Sequence, residues 1–212
     1  MNVLGLVQLC QAAQPAGGYS HSFGIEKLVT TGQLRSPQQL QSLVTDVLQA
    51  AIGPADGVAS GITFRAARGG AFERIPEVCA VMSSPRVPEN MRLASLQMGQ
   101  RLWVMSRTWN WAASVHDQLD DLTAKNDLHH AVAFGLLVSE TTSSQIRAIA
   151  TYLYNTAKNI ILAAAHAIPL EEAQEQQVLA AVQSQIARLA AQCADKEPAD
   201  ISVRESRDRD ML

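Results

Sequence analysis

The residues whose types and spacing could do chemistry crowd into one stretch near the N-terminus, Pro15-Ala16-Gly17-Gly18-Tyr19-Ser20-His21-Ser22-Phe23-Gly24-Ile25-Glu26. Paired glycines permit positive φ and close backbone approach. Ser20 or Ser22 can cap a following helix, and Glu26 lies one turn beyond Ser22 on the same face. Two readings stay open: a Gly-rich turn that presents His21 and Ser22 to a partner, or a turn followed by a helix cap. Catalysis is disfavoured. A nucleophile needs its base within hydrogen-bond reach, and neighbours on a helix point apart, so His21 is poorly placed to activate Ser20 or Ser22. The stretch lacks Gly-Lys-Ser/Thr and follows no strand pattern, so it is not a phosphate loop.

Metal chemistry has little to work with. The histidines are His21, His116, His129, His130 and His166. His129 and His130 are adjacent and would not share a helix face. His116 and Asp120 fall at i, i+4, a weak pair where a structural site needs three or four convergent ligands. Cys10, Cys79 and Cys193 are widely spaced and match no zinc or redox pattern. Trp103, Trp109 and Trp111 could line a ligand box, but at helical spacing they read more simply as core or subunit contact. A small helical enzyme or ligand-binding bundle, with its pocket near His116, Asp120 and the tryptophans, is the alternative reading.

The elements that must position these residues are helices. Ser36-Pro37-Gln38-Gln39 is a helix start with a capping-box partner at Gln39, followed by apolar residues at i, i+3, i+4, i+7. Gly53-Pro54 is expected to stop that helix, and a second runs from Asp56 to Arg68. A short helix starts near Pro76. A long one opens at Pro88-Glu89, with Leu93, Leu96, Leu102 and Met105 assigned to or near its buried face. Others cover Leu128–Val138, then Thr142 to Ile168 through Ile146, and a last one from Glu171. No stretch alternates with period two. The expectation is an all-α, single-domain bundle of about seven to ten helices over residues 1–194, with a flexible, charge-alternating C-terminal tail over 195–212.

Composition bounds the function. The 212 residues suffice to bury roughly 70% of the unfolded surface without staples. A formal charge of −3 and 5% aromatic content argue against a nucleic-acid partner. The odd, scattered cysteines suit a reducing compartment. The N-terminus lacks a basic n-region, and the apolar stretch Ile160–Ile168 is too short to span a bilayer, so a cytoplasmic protein without a membrane partner is expected.

Taken in order, the segments resemble the urease accessory protein UreF family. Gln8-Leu9-Cys10 followed by Pro15 to Glu26 is similar to its N-terminal Pro-x-Gly-Gly-aromatic-x-His-Ser-x-Gly-Leu/Ile-Glu signature. Arg92-Leu93-Ala94-Ser95-Leu96-Gln97-Met98-Gly99 resembles its Arg-x-Ala-Ser-x-x-Met-Gly helix, and His130-Ala131-Val132-Ala133-Phe134-Gly135 its His-x-x-Ala-x-Gly helix. Tyr152-Leu153-Tyr154 through Ile168-Pro169-Leu170 is similar to its long central helix and Pro-Leu turn. The resemblance covers Leu4 to Leu189. Departures are Gln11, Ala12 and Gln14 before the signature, His166 and Glu171 around the turn, and a tail that ends Arg209-Asp210-Met211-Leu212.

The resemblance implies a chaperone-like accessory protein with no catalytic residues and no cofactor of its own. It implies a homodimer that binds the scaffold protein (UreD, also called UreH) and recruits the GTPase UreG to apo-urease for nickel insertion. Nickel and GTP are then handled by that GTPase, and only weak nickel cation binding is expected of this chain. Partner-binding residues are expected at Pro15, Gly17, Gly18, Tyr19, His21, Ser22, Gly24 and Glu26, and at Ser202, Arg207 and Arg209 in the tail.

Overall fold

Each helix can be traced to local sequence signals and to the face it buries. The computed structural model describes residues 1–13 and 24–202. The α-helices are α1 (Val3–Ala12), α2 (Ile25–Thr30), α3 (Pro37–Val47), α4 (Val58–Gly69), α5 (Ile75–Met82), α6 (Glu89–Ser106), α7 (His116–Ala124), α8 (His130–Ser139), α9 (Gln145–Ala165), α10 (Glu172–Ala181) and α11 (Gln183–Ala194). Short 3-10 turns cover Phe72–Arg74, Asn110–Val115 and Pro198–Asp200. Among the described residues there is no strand. The protein is a single all-α domain.

Several boundaries follow the sequence closely. Ser36 caps α3 by accepting from the Gln39 amide at 3.3 Å. The Gln39 side chain reciprocates one residue early, accepting from the Arg35 amide at 2.8 Å. Gly70, at φ 70°, ends α4 in the left-handed conformation that favours glycine. Ser144 caps α9 through the Arg147 amide.

Gly53-Pro54 does not stop a helix. α3 continues without a break through a π-helical segment, Leu48–Gly57, into α4, so Pro37–Gly69 is one rod. Pro54 has no amide hydrogen, and its ring would crowd the preceding turn of an α-helix. The wider π turn relieves this crowding. Carbonyls there find outside donors: Gly53 accepts from the Cys193 thiol at 3.2 Å, and Pro54 from the Ser202 amide at 3.0 Å.

α8 sits at the centre, with all ten of its residues buried. It is apolar around its whole circumference, as an interior helix must be. It packs chiefly on α4 and α6, while α9 packs on α11 and α4. Two glycines allow these contacts. A Cβ on Gly135 would meet the Ser60 carbonyl at 2.8 Å, and one on Gly99 would lie 1.9 Å from the Leu128 carbonyl.

Three expectations change here. Leu93 (43% exposed), Met105 (37%) and Ile146 (48%) face outward rather than into the core. The C-terminal helix bends at Val182, which separates α10 from α11. The flexible tail expected from Asp195 does not begin there, because residues 195–202 are docked. Pro198 and Ile201 are buried, and Glu197 pairs with both Arg65 and Arg74. The tight turn of the Pro198 3-10 segment supplies the apolar contact that charge alternation obscured.

Candidate functional site

The expected partner-binding residues fall into two groups. Pro15, Gly17, Gly18, Tyr19, His21 and Ser22 lie outside the described residues, as do Arg207 and Arg209. What the structure does give is where their segment starts and finishes. Ala12 and Ala13 are buried at the end of α1, and the Asn159 side-chain amide donates to the Ala13 carbonyl. Gly24 (φ 61°) is the N-cap of α2, followed at once by Ile25 with no exposed surface. The described residues on either side of the Gly-rich segment, Ala13 before it and Ile25 after it, are both buried. Gly24 and Glu26 sit together, with Glu26 exposed in the first turn of α2. Ser202 belongs elsewhere, hydrogen-bonded through its backbone to the π-helical segment.

α1 runs directly into that segment. It contains no charged residue. Its inner face, Gly5, Leu9 and Ala12, is buried, whereas Leu4 is 82% exposed and Val3 and Val7 about half exposed. The helix is pinned at its start by Asn2, whose amide donates to the Thr141 carbonyl at 2.8 Å and whose side chain accepts from Gly5.

The motif residues in the middle of the chain converge on structural polar networks that sequence reasoning missed. In the first, Ser83 Oγ lies 2.8 Å from His129 Nε2 and 3.2 Å from Asp127 Oδ1, while His129 Nδ1 lies 3.2 Å from Ser95 Oγ. It looks like a Ser–His–Asp constellation. Proton accounting shows otherwise. Asp127 can only accept, so Ser83 donates to it, and His129 Nε2–H donates to Ser83. Ser95 accepts from the His130 amide at 3.3 Å and donates to His129 Nδ1. The hydroxyl points its proton away from the imidazole, the reverse of an activated nucleophile. Burial pushes His129 down to about 4, with Asp127 opposing and Arg92 adding to the shift, so the ring stays neutral. The network ties the end of α5, the middle of α6 and the turn before α8. Asn126, at φ 54°, makes that turn.

In the second network, the Tyr152 hydroxyl donates to Asp56, and His130 Nδ1 lies 3.2 Å from Tyr152 Oη. With the tyrosine proton committed to Asp56, His130 must donate from Nδ1. Its Nε2 is then a buried acceptor without a partner. Burial raises Asp56 to about 6, partly offset by the Tyr152 bond, and lowers His130 to about 4. Phe134 meets Tyr152 edge-on at 5.2 Å and fixes its ring.

The His116–Asp120 pair does not form a site. Asp120 is engaged by Trp103 Nε1 at 2.6 Å and by both contacts of Arg107 Nη1, which hold its carboxyl below the usual range. His116 Nε2 donates to the Ser106 carbonyl at 3.0 Å. Trp109 stacks on Trp111, and the Trp111 indole donates to Gln8 on α1. Among the described residues, no three His, Cys, Asp or Glu side chains converge as metal ligands, and no helix is long and apolar enough to cross a membrane.

Comparison with known proteins gives these motifs their context. The family model described as UreF matches residues 34–183, well over half of the chain. The chain belongs to the UreF family. The chain is 24% identical over 192 residues to the urease accessory protein UreF of Kocuria rhizophila, covering 89% of this chain and 80% of that protein. It is 29% identical over 182 residues to the urease accessory protein UreF of Methylibium petroleiphilum, covering 85% and 76% respectively. UreF proteins are accessory proteins, and this chain is not an enzyme. The UreF-matching region contains Ser95, Gly99, His129, His130, Gly135 and Tyr152, which are all used to hold α6, α8, α9 and the rod together.

Proposed function

We propose that this chain is an adaptor in urease nickel-centre assembly: it dimerises, binds the scaffold protein UreD/UreH and recruits the nickel-carrying GTPase UreG to apo-urease in the cytoplasm. Family membership supports the urease accessory role. The observation that most favours a docking role is the N-terminal arrangement. A charge-free helix with Leu4 82% exposed precedes the Gly-rich segment in sequence, and the residues flanking that segment, Ala13 and Ile25, are buried. Exposed apolar surface beside a glycine-rich motif suits contact with another protein. In this reading, Gly18 allows close backbone approach, His21 and Ser22 supply interfacial hydrogen bonds, and Arg207 and Arg209 add contacts from the tail. Nickel and GTP stay with the GTPase, and the chain carries no cofactor of its own.

The test is a pull-down with purified scaffold protein. Gly18→Trp, and separately His21→Ala with Ser22→Ala, should weaken the complex roughly ten- to hundredfold, the effect of losing about 1–3 kcal/mol at an interface. Helicity and melting temperature should hold. Normal scaffold binding by well-folded variants would show that the segment is only a turn and cap.

A further inference from the structure

A cleft of about 370 Å³ opens between the 3-10 turn that leads into α5 and the outer face of α7. Its apolar part is Phe72, Ile75 and Leu122, and its polar part is Glu73, Asp117, Gln118 and Asp121. Asp117, Gln118, Asp121 and Leu122 fall at i, i+1, i+4 and i+5, so they share one face of α7. Glu73 comes from the other wall. Ile75 and Leu122 are buried, whereas Glu73, Asp117 and Asp121 are exposed, which puts apolar surface at the base and charge at the mouth.

No described lining residue is a cation. Asp121 gives one oxygen to Lys125 at 2.6 Å, but among the described residues Glu73 and Asp117 have no ion-pair partner. The acids nearby are engaged, Asp120 by Trp103 and Arg107 and Glu197 by Arg65 and Arg74. Gln118 adds an acceptor whose Oε1 is shielded from solvent and has no hydrogen-bond partner. Such a group costs free energy until a donor reaches it.

These features narrow what fits. The carboxylates do not converge as metal ligands do. The volume is at the low end for a small-molecule pocket and suits one long side chain. An apolar base below a charged mouth matches a methylene stem with a cationic head. Acceptors spread over two walls favour arginine over lysine, because the planar guanidinium serves several acceptors at once and can stack on an aromatic ring such as Phe72.

We propose that this cleft is a docking pocket for an arginine side chain presented by a partner protein. Glu73 and Asp117 pair with the guanidinium, Gln118 Oε1 accepts from it after a short turn of its side chain, and Phe72, Ile75 and Leu122 cover the stem. The pocket lies outside the N-terminal segment and the tail on which the adaptor reading places its contacts, and it does not depend on that reading.

The test is an NMR titration of the full chain with N-acetyl-arginine N′-methylamide, an arginine blocked at both ends as it is within a protein. Saturable shifts should appear in amides 72–76 and 117–122, with an affinity on the order of millimolar, as one side chain allows. The blocked citrulline probe has the same shape without the charge and should bind about tenfold more weakly. Glu73→Gln with Asp117→Asn should cost about the same, and both sites are exposed, so the fold should hold. Gln118→Leu keeps every charge and removes the acceptor, and it too should weaken binding about tenfold. Free L-arginine carries a carboxylate that the acidic mouth repels, so it should bind less well than the blocked form. No saturable shift, or equal binding by citrulline, would overturn the proposal. Unchanged affinity in either variant would reduce the cleft to a diffuse acidic surface and overturn it as well. Tighter binding of free arginine would make this a small-molecule site and not a partner pocket.

Discussion

Gly99→Ala tests the packing logic of the fold with the smallest possible perturbation, one methyl group. The added Cβ would lie 1.9 Å from the Leu128 carbonyl oxygen and 2.9 Å from the His129 and Leu128 carbonyl carbons. Ordinary contact begins near 3.4 Å, so α6 and the turn before α8 must part by roughly 1.5 Å, or the turn must rebuild. Neither group can swing aside, because the obstruction is backbone. Separation also stretches the Ser95 contacts to His129 and to the His130 amide, already 3.2 and 3.3 Å long. Overpacking costs about 1–3 kcal/mol, and a weakened buried hydrogen bond adds about 1 kcal/mol. Alanine regains about 1 kcal/mol of helix propensity. The net is a loss of about 1–3 kcal/mol, which lowers the melting temperature of a chain this size by roughly 2–12 °C. Gly69→Ala is the internal control. It also lies in a helix, has nothing within 4 Å of its would-be Cβ, and should hold or gain up to about 1 kcal/mol. Urea unfolding of the two variants beside the parent reads both numbers. A Gly99→Ala protein as stable as Gly69→Ala would refute the reasoning.

Two further predictions concern charge. His129 and His130 have folded values near 4 against 6.5 unfolded, so the unfolded chain binds more protons between those limits, and their stabilising contribution is lost as pH falls through that window. Asp56, raised from 3.8 to about 6, acts in the opposite direction, but one carboxyl does not offset two imidazoles. Stability by urea unfolding should therefore drop by about 2 kcal/mol from pH 7 to pH 5, and a flat profile would contradict the assignment of neutral rings. Glu197→Gln removes the carboxylate shared by Arg65 and Arg74. These exposed pairs contribute little to global stability, within about 1 kcal/mol, but limited proteolysis should cut near residues 195–202 several times faster than in the parent; equal cleavage rates would show that Pro198 and Ile201 suffice to hold the segment.

The helices were legible in the sequence because their starts and stops are local. Ser36-Pro37 and Gly69-Gly70 carry their signals within a few residues of the boundary they set. The π-helical passage was not legible. Pro54 reads as a stop unless one knows that Cys193 and Ser202, about 140 residues later, take up carbonyls of that segment. Outward-facing Leu93, Met105 and Ile146 misled for a related reason. Periodicity gives a helix its apolar positions, but which face is covered depends on the neighbours. The polar networks were hidden for the same cause: His129 pairs with Ser83 just past the end of α5 and with Ser95 on α6, and Tyr152 joins Asp56 to His130. Family resemblance pointed to Ser95, Gly99, His130 and Gly135, yet only the structure explains why each residue type is needed there. The segment from Pro15 to Glu26 is the reverse case, with its chemistry read from sequence and only Gly24, Ile25 and Glu26 within the described residues.

The central claim is that this chain joins the scaffold to the GTPase. The most direct measurement is size-exclusion chromatography with light scattering on the purified scaffold and the GTPase, with and without this chain. The adaptor account predicts that the GTPase co-elutes with the scaffold only when this chain is present, and that all three then travel as one species. Equal co-elution of GTPase and scaffold in its absence would contradict that account.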